Sequence, residues 1–255
     1  MINDCSIIIC SCNYGHLIAR AIRSALNQHD CEPEVIVVDD ASTDNTREML
    51  NPFIAEPVFF KVGELTEKEI EEFQAIQNDP TAKYFVEPGQ IRQFRDVAVF
   101  HGGVVYIRNP KNVGVAESAN IGIRASTKQY VMRLDADDYI ATETCFILRT
   151  FLAQNLNHFA VSCDYFLVEG GCGDEQKMTR KCALEDPIAC GVMYRRDILL
   201  EFGGYERGRR YKEVEELHKR IGDKFKIGHI HITLYRYQMH KFNKTKEQAY
   251  KEATI

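Results

Sequence analysis

Carboxylates gathered at the ends of apolar runs are the residues of this chain best suited to chemistry. In Tyr130–Ile140 the apolar residues Tyr130, Val131, Met132 and Leu134 stop at Asp135, Asp137 and Asp138, with Arg133 the one polar interruption. Three acids just past a strand end repel one another, and hard divalent cations such as Mg²⁺ or Mn²⁺ prefer such oxygens. A solvated acidic turn is the plainer reading of a lone D-x-D, so this stretch leaves both open. Two other apolar runs end in the same polar way. Val35–Val38 runs into Asp39 and Asp40, and Ile7–Cys10 into Ser11-Cys12-Asn13.

The elements that must position these groups follow a β-α rhythm. Leu17, Ile18, Ala21, Ile22, Ala25 and Leu26 form the apolar stripe of an amphipathic helix after the first strand. Ser42, Thr43 and Asp44 offer side-chain oxygens to cap a helix reaching about Leu50. Residues 52–103 break the rhythm and read as an inserted segment: Thr66-x-x-Glu69 is a capping box for a short helix, and strands are expected at Tyr84–Val86 and Val97–Phe100. The pattern resumes with strand Val104–Ile107, helix Val115–Ala125, strand Tyr130–Leu134 and a helix from Thr142 to about Asn155. Strand-like runs follow at Phe159–Val168, Pro187–Tyr194 and Ile227–Tyr237. Between them come a polar loop at Gly170–Lys181, a short helix capped by Asp197 and closed by Gly203-Gly204, and a helix from about Glu213. Such alternation implies a parallel sheet with right-handed crossovers. In an open sheet of that kind ligands bind outside the carboxyl ends of the strands, where Ser11/Asn13, Asp39/Asp40 and Asp135/Asp137/Asp138 would meet.

Composition narrows the partners. The chain has 255 residues, 45% hydrophobic and 27% charged, with a net charge of −5. That is ordinary for a globular protein and argues against nucleic acid as a partner. There is no run of eighteen apolar residues and no n-region followed by an apolar h-region, so neither a membrane span nor a signal peptide is expected. The nine cysteines show no C-x-x-C spacing, so reduced thiols and a cytoplasmic location are expected.

The segments IIICSCN (7–13), VIVVDDASTDNT (35–46), NPKNVGVAESANIGI (109–123), YVMRLDADD (130–138), GGYE (203–206) and LYRYQMHKFNKT (234–245) together carry a resemblance. In this order they resemble family 2 glycosyltransferases of the GT-A fold. The resemblance implies an α/β fold: a Rossmann-like, mostly parallel sheet flanked by helices with an inserted α+β segment. It implies one domain over 1–255, with a nucleotide-binding half 1–138 and an acceptor-binding half 139–255. The implied activity is transfer of a sugar from a nucleotide-diphosphate sugar to a glycan or lipid-linked acceptor. That transfer would be a metal-assisted direct displacement with inversion, in cell-surface polysaccharide synthesis.

Roles carry over by motif. Ser11, Cys12, Asn13 and Asp39 or Asp40 would contact the nucleoside. Asn112 and Gly114 would shape its pocket, with Asn120 on the helix behind. Asp135 would serve ribose and metal, Asp137 the metal, and Asp138 would flank the sugar. His240 matches a histidine that closes over the diphosphate or metal. A general base is expected at the start of a late helix, where the family reads E-D-x-x-L and this chain has Glu213-Val214-Glu215-Glu216-Leu217. Val214 stands at the family's Asp position, so Glu213 is the expected base with Glu215 and Glu216 behind it. Cys10 and Cys12 stand where the family often has Pro and Tyr. The basic tail (Lys241, Lys244, Lys246, Lys251) leaves open a peripheral contact with an anionic membrane, a solvated tail being the plainer reading. Two other readings compete: a sugar nucleotidyltransferase, disfavoured because Ser11–Gly15 has one glycine, and a non-catalytic nucleotide-sugar-binding scaffold.

Overall fold

The computed structural model of the protein describes residues 4–53, 57–61, 96–100, 104–170, 176–208, 212–222 and 224–240. The expected capping-box helix at Thr66–Glu69, the strand at Tyr84–Val86 and the basic tail from Lys241 lie outside them.

Four mostly apolar runs, three of them rich in Ile and Val, form the parallel centre of one sheet: β1 (Cys5–Ser11), β2 (Glu34–Asp39), β5 (Val104–Arg108) and β6 (Tyr130–Asp135). They lie in the order β5-β2-β1-β6. Pairing of β1 with β2 in the register Ser11↔Asp39, and with β6 in the register Cys10↔Asp135, places three carboxyl ends side by side. Beyond β5 the sheet is extended by antiparallel β4 (Asp96–Phe100) and β3 (Pro57–Lys61). Beyond β6 it continues through β10 (Val192–Arg195), antiparallel to both its neighbours, to β8 (His158–Glu169), its parallel partner β11 (Lys226–Met239) and the short antiparallel β7 (Tyr139–Ile140). The polar edge strand β9 (Lys177–Lys181) pairs with β8.

Alternation along the central strands feeds two cores. Ile7, Ile9, Val35, Val37, Met132 and Leu134 face one side, where α1 (Gly15–Leu26) and α3 (Thr144–Gln154) cover them. Ile8, Ile36, Val38, Val105 and Val131 face the other, under α2 (Val115–Ala125), α4 (Arg196–Glu201) and α5 (Glu213–Ile221). The result is a three-layer α/β/α arrangement around a mostly parallel, mixed sheet. Contact of α2 with β1 is so close that a Cβ on Gly122 would stand 2.2 Å from Ile8 Cγ2. Among the described residues no helix is long and apolar enough to cross a membrane.

Two local expectations are corrected. The segment after β2 forms a 3-10 helix at Glu48–Phe53, not a capped α-helix up to Leu50. Ser42 Oγ is taken by the Asn13 N–H and Asp44 Oδ2 by the Gly15 N–H, while Asp44 Oδ1 closes a local turn on the Thr46 N–H at 3.0 Å. Pro52 inside it has no N–H to continue a helix. The expected loop Gly170–Lys181 contains β9, whose KMTRK sequence lacks the apolar alternation that signals a strand.

Candidate active site

A cleft of about 690 Å³ opens over the carboxyl ends of β1, β2 and β6. One wall carries Cys10, Ser11, Cys12, Tyr14 and Asp40, its floor Arg133, Asp135 and Asp137, and its far wall Glu213, Val214, Glu215 and His218. A lip formed by 183–190 and the strands β8 and β11 closes the remaining side.

The floor is organised by Arg133, which is not among the expected site residues. It is 6% exposed. Its guanidinium grips Asp135 through both oxygens, Nε to Oδ1 at 2.8 Å and Nη2 to Oδ2 at 3.0 Å. The remaining edge donates from Nη1 to Glu213 Oε1 at 2.7 Å. A planar fork is the one side chain that can serve two carboxylates in this way while neutralising both. One cation thus joins the end of β6 to the first residue of α5, across the cleft. The recognisable signal was an arginine inside a buried strand two residues before an acid.

Asp137 takes a different partner. Its Oδ2 lies 2.8 Å from His240 Nε2, and the His240 ring meets Tyr14 edge-to-face at 5.7 Å. The backbone here is pinned by Arg20, which donates to the Asp137 carbonyl at 2.7 Å and to Gln238 Oε1 at 3.0 Å. Carboxylate oxygens of Asp135, Asp137 and Asp138 lie within 4.8 Å of one another. Of these, Asp135 and Asp137 line the cleft, and with the His240 imidazole they make an oxygen-and-nitrogen donor set that suits Mn²⁺ or Mg²⁺. Burial raises the Tyr14 phenol well above its ordinary value, and the charges of Asp137, Asp135 and Asp138 push it further.

Other expected contact residues are committed to the fold instead. Asp138 is 1% exposed and accepts from Tyr235 Oη at 2.6 Å and from the Gln238 N–H at 2.8 Å, which fastens β11 to the end of β6. Its carboxyl is held well above the usual range by burial and by the charges of Asp137 and Asp135. It does not reach the cleft to flank a sugar. Asp39, also buried, accepts from Tyr106 Oη at 2.6 Å and the Ser42 N–H at 2.8 Å, so of the pair only Asp40 lines the cleft. Asp40 in turn accepts from the Val113 and Gly114 N–H groups at 2.8 and 2.9 Å and from Asn109 Nδ2 at 3.0 Å, which shapes the loop before α2. Gly114 there has φ +87°, open to glycine without cost.

Asn13 is exposed at φ 61° and accepts from the Thr43 N–H at 2.8 Å, away from the cleft. Asn112 lies across the rim, donating to Cys12 Sγ at 3.3 Å. Asn120 is buried and exchanges two 2.8 Å bonds with the Tyr205 backbone, so it anchors the GGYE segment. Gly204 in that segment is required, since its φ is +69° and a Cβ would stand 2.3 Å from Asn120 Oδ1. Glu216 points along α5 to Arg220, 2.7 Å away. Ser11 lines the cleft wall, and its Oγ is buried there with no hydrogen-bond partner.

Val214 explains the displaced carboxylate. It is 8% exposed and packs with Leu217 and Ile221 in the second core, while Glu213, one residue earlier, faces the cleft. Lys212 before it adopts φ 58°, a left-handed conformation unusual for lysine that starts α5 with Glu213 toward Arg133.

Comparison with known proteins agrees with this architecture. The glycosyl transferase family 2 model matches residues 6–72 and 88–232. A chondroitin synthase of Pasteurella multocida is 27% identical over 150 residues, covering 58% of this chain and 11% of that protein. Among solved structures, Staphylococcus aureus TarS 1–349 in complex with UDP-GlcNAc superposes with a TM-score of 0.64 at 16% identity, covering 95% of this chain and 60% of that one. The mannosyltransferase PcManGT of Pyrobaculum calidifontis, in complex with GDP-Man and Mn²⁺, gives a TM-score of 0.62 at 16% identity, covering 96% and 59%. Each of these relatives is longer, and the chain spans less than two thirds of its length. The two superpositions show a GT-A fold.

Proposed function

Because the chain belongs to glycosyl transferase family 2, we propose that its cleft transfers a sugar from a nucleotide-diphosphate sugar to a hydroxyl of a glycan or lipid-linked acceptor, with inversion. The observation that carries this reading is the Asp135–Arg133–Glu213 bridge beside the Asp137–His240 pair. It sets groups suited to a diphosphate and a group suited to a hydroxyl proton on opposite sides of one cleft.

On the donor side, Ser11, Cys12 and Asp40 form the nucleoside wall. A carboxylate there accepts from base or ribose donors. Asp137 and His240, with Asp135 beside them, would hold a divalent cation, which when bound offsets the charge on the departing diphosphate. Asp135 has both oxygens engaged by Arg133, so Asp137 is the principal carboxylate of that site. On the acceptor side, Glu213 has one oxygen on Arg133 and the other free to take the proton of the attacking hydroxyl. A single displacement with base and leaving group on opposite faces inverts the anomeric centre. The polysaccharide synthase among the relatives and the nucleotide-sugar complexes of the structural neighbours support the same substrate class.

The test is nucleoside-diphosphate release from a panel of UDP- and GDP-sugars with Mn²⁺. Glu213→Gln is expected to lower kcat about 100-fold or more while nucleotide binding persists, the scale of a lost general base. Asp137→Ala is expected to abolish metal-dependent release. Full activity in Glu213→Gln overturns the base assignment. Tight donor binding without turnover in the unaltered protein favours the scaffold reading, for which Val214 at the usual Asp position is the supporting observation.

A further inference from the structure

Outside the cleft floor, one cluster of side chains combines donor types that neither packing nor the transfer reaction requires. Asp164, Cys182, His229 and His231 each offer a ligand atom, all within 4.8 Å of one another. We propose that these four residues form a structural zinc site at the β9–β8–β11 edge, tethering the lip of the cleft.

The sheet brings them together from three strands. Asp164 lies on β8, between β9 on one side and β11 on the other. Cys182 immediately follows the end of β9, where Lys181 pairs with Tyr165. His229 and His231 are two apart on β11 and so share a face. The β8–β11 register slips between Ile230 and Thr233, which leaves His231 out of the ladder and beside Asp164. Their rings stand 4.6 Å apart, edge to face.

The distances are those of a cluster needing only a small adjustment to close on an ion. His229 Nε2 is 2.9 Å from Asp164 Oδ1, and His231 Nδ1 is 3.8 Å from Asp164 Oδ2. Around a tetrahedral Zn²⁺ with bonds of about 2.0–2.3 Å, ligand atoms stand about 3.3–3.7 Å apart. The Cys182 Sγ stands within 4.8 Å of an Asp164 carboxylate oxygen and of both imidazoles. One thiolate, two imidazoles and one carboxylate suit zinc, and the sulfur disfavours Mg²⁺ or Ca²⁺.

A supporting shell is also present. Ser162 Oγ lies 2.8 Å from His229 Nδ1 and 3.4 Å from the Gly228 carbonyl. With metal bound, Nδ1–H donates to Ser162, Ser162 donates to Gly228, and the Nε2 lone pair faces the ion. Arg180 donates to Asp164 Oδ2 at 2.9 Å and to the His231 carbonyl at 3.0 Å, which fixes the carboxylate. His231 is exposed, so an ion can enter from solvent. Binding releases the Cys182 thiol proton to solvent and puts the thiolate on zinc. Because Ala183, Leu184, Asp186, Pro187 and Ile188 line the cleft directly after Cys182, the ion would hold that lip against β8.

The probe is Co²⁺ added to chelator-treated full-length protein, followed by Zn²⁺. One equivalent is expected to give a thiolate-to-cobalt charge-transfer band with tetrahedral d–d bands, bleached by Zn²⁺. Cys182→Ser is expected to lose the charge-transfer band. His229→Gln and Ser162→Ala should weaken Zn²⁺ binding about tenfold or more. Asp137→Ala, which lacks the cleft carboxylate, should keep the bands. Zn²⁺ should also slow proteolysis within 182–190, a readout independent of transfer activity. The proposal is overturned if no thiolate band forms, or if the band survives Cys182→Ser and disappears in Cys31→Ser, which would assign it to the buried Cys5/Cys31/Cys145 trio. Zinc binding that leaves lip proteolysis unchanged overturns the tethering role.

Discussion

At the scale of single residues the molecule turns on Arg133. A buried guanidinium between two carboxylates is a poor source of net stability, yet removing it leaves the buried Glu213 and the half-buried Asp135 without a counter-charge. Arg133→Met is therefore expected to cost about 3–5 kcal/mol, read from denaturant midpoints. Arg133→Lys keeps the charge and loses the fork, so Asp135 and Glu213 cannot both be held at 2.7–3.0 Å. That variant should fold, retain nucleotide binding and lose at least about tenfold in kcat/KM, because Glu213 is no longer aimed. An Arg133→Lys enzyme with unchanged kcat/KM would show that the bridge only neutralises charge. Residue type alone separated the acids poorly. Asp39, Asp40, Asp135, Asp137 and Asp138 are alike in the sequence, and only the neighbours Tyr106, Arg133, Tyr235 and His240 distinguish those holding the fold from those facing the cleft.

At the scale of elements, the legible parts were those where a local pattern decides the structure. Near-continuous apolar runs predict β1, β2, β5 and β6, because strands buried on both faces have few polar positions. The amphipathic stripe predicts α1 and α5 for a similar reason. Illegible were β9, a polar edge strand defined only by its partner, and Asn120, whose amide reaches 85 residues along the chain to Tyr205. Asn120→Ala orphans a buried N–H and a buried C=O at once. The expected loss is about 2–4 kcal/mol in unfolding free energy, from two groups at roughly 1–3 kcal/mol less partial rescue by water. A change in nucleotide affinity without loss of stability would restore Asn120 to the binding site. Helix α5 carries a second test. His218 accepts from or donates to Tyr194 Oη at 3.0 Å, and burial lowers its pKa to about 4. Between about pH 4 and pH 6.5 the unfolded chain binds a proton there that the native state does not, so stability rises with pH across that window. Acidification should thus cost roughly 2–3 kcal/mol that a His218→Gln variant does not lose. Unfolding curves at pH 4.5 and 7 for both proteins decide it; parallel losses in the two would remove His218 from the account.

At the scale of the whole molecule, the cleft sits on the seam between the parallel centre of the sheet and its mixed far side. β6 meets antiparallel β10 at that seam, and β11 returns to it through Asp138, Gln238 and His240. Arg20 on α1 ties the same point by contacting both Asp137 and Gln238. A ligand that bridges Ser11 and Asp40 to Asp137 and His240 would therefore connect segments from residue 11 to residue 240, whose separation accompanies unfolding. Binding to the native state alone stabilises by about 2.7 kcal/mol at a ligand concentration of 100 times Kd. For a chain of this length that corresponds to roughly 5–10 °C in Tm. A nucleoside diphosphate with Mn²⁺ is expected to produce such a shift, and a chelator to remove most of it. Asp137→Ala should bind the nucleoside alone, with a small shift indifferent to chelation, since the Ser11–Asp40 wall is intact. A full shift in Asp137→Ala would place the cation elsewhere, while an equal shift with and without Mn²⁺ in the unaltered protein would remove the metal from the donor site. Thermal denaturation with four additions, nucleotide and metal separately and together and then chelator, distinguishes these outcomes without knowing the sugar or the acceptor.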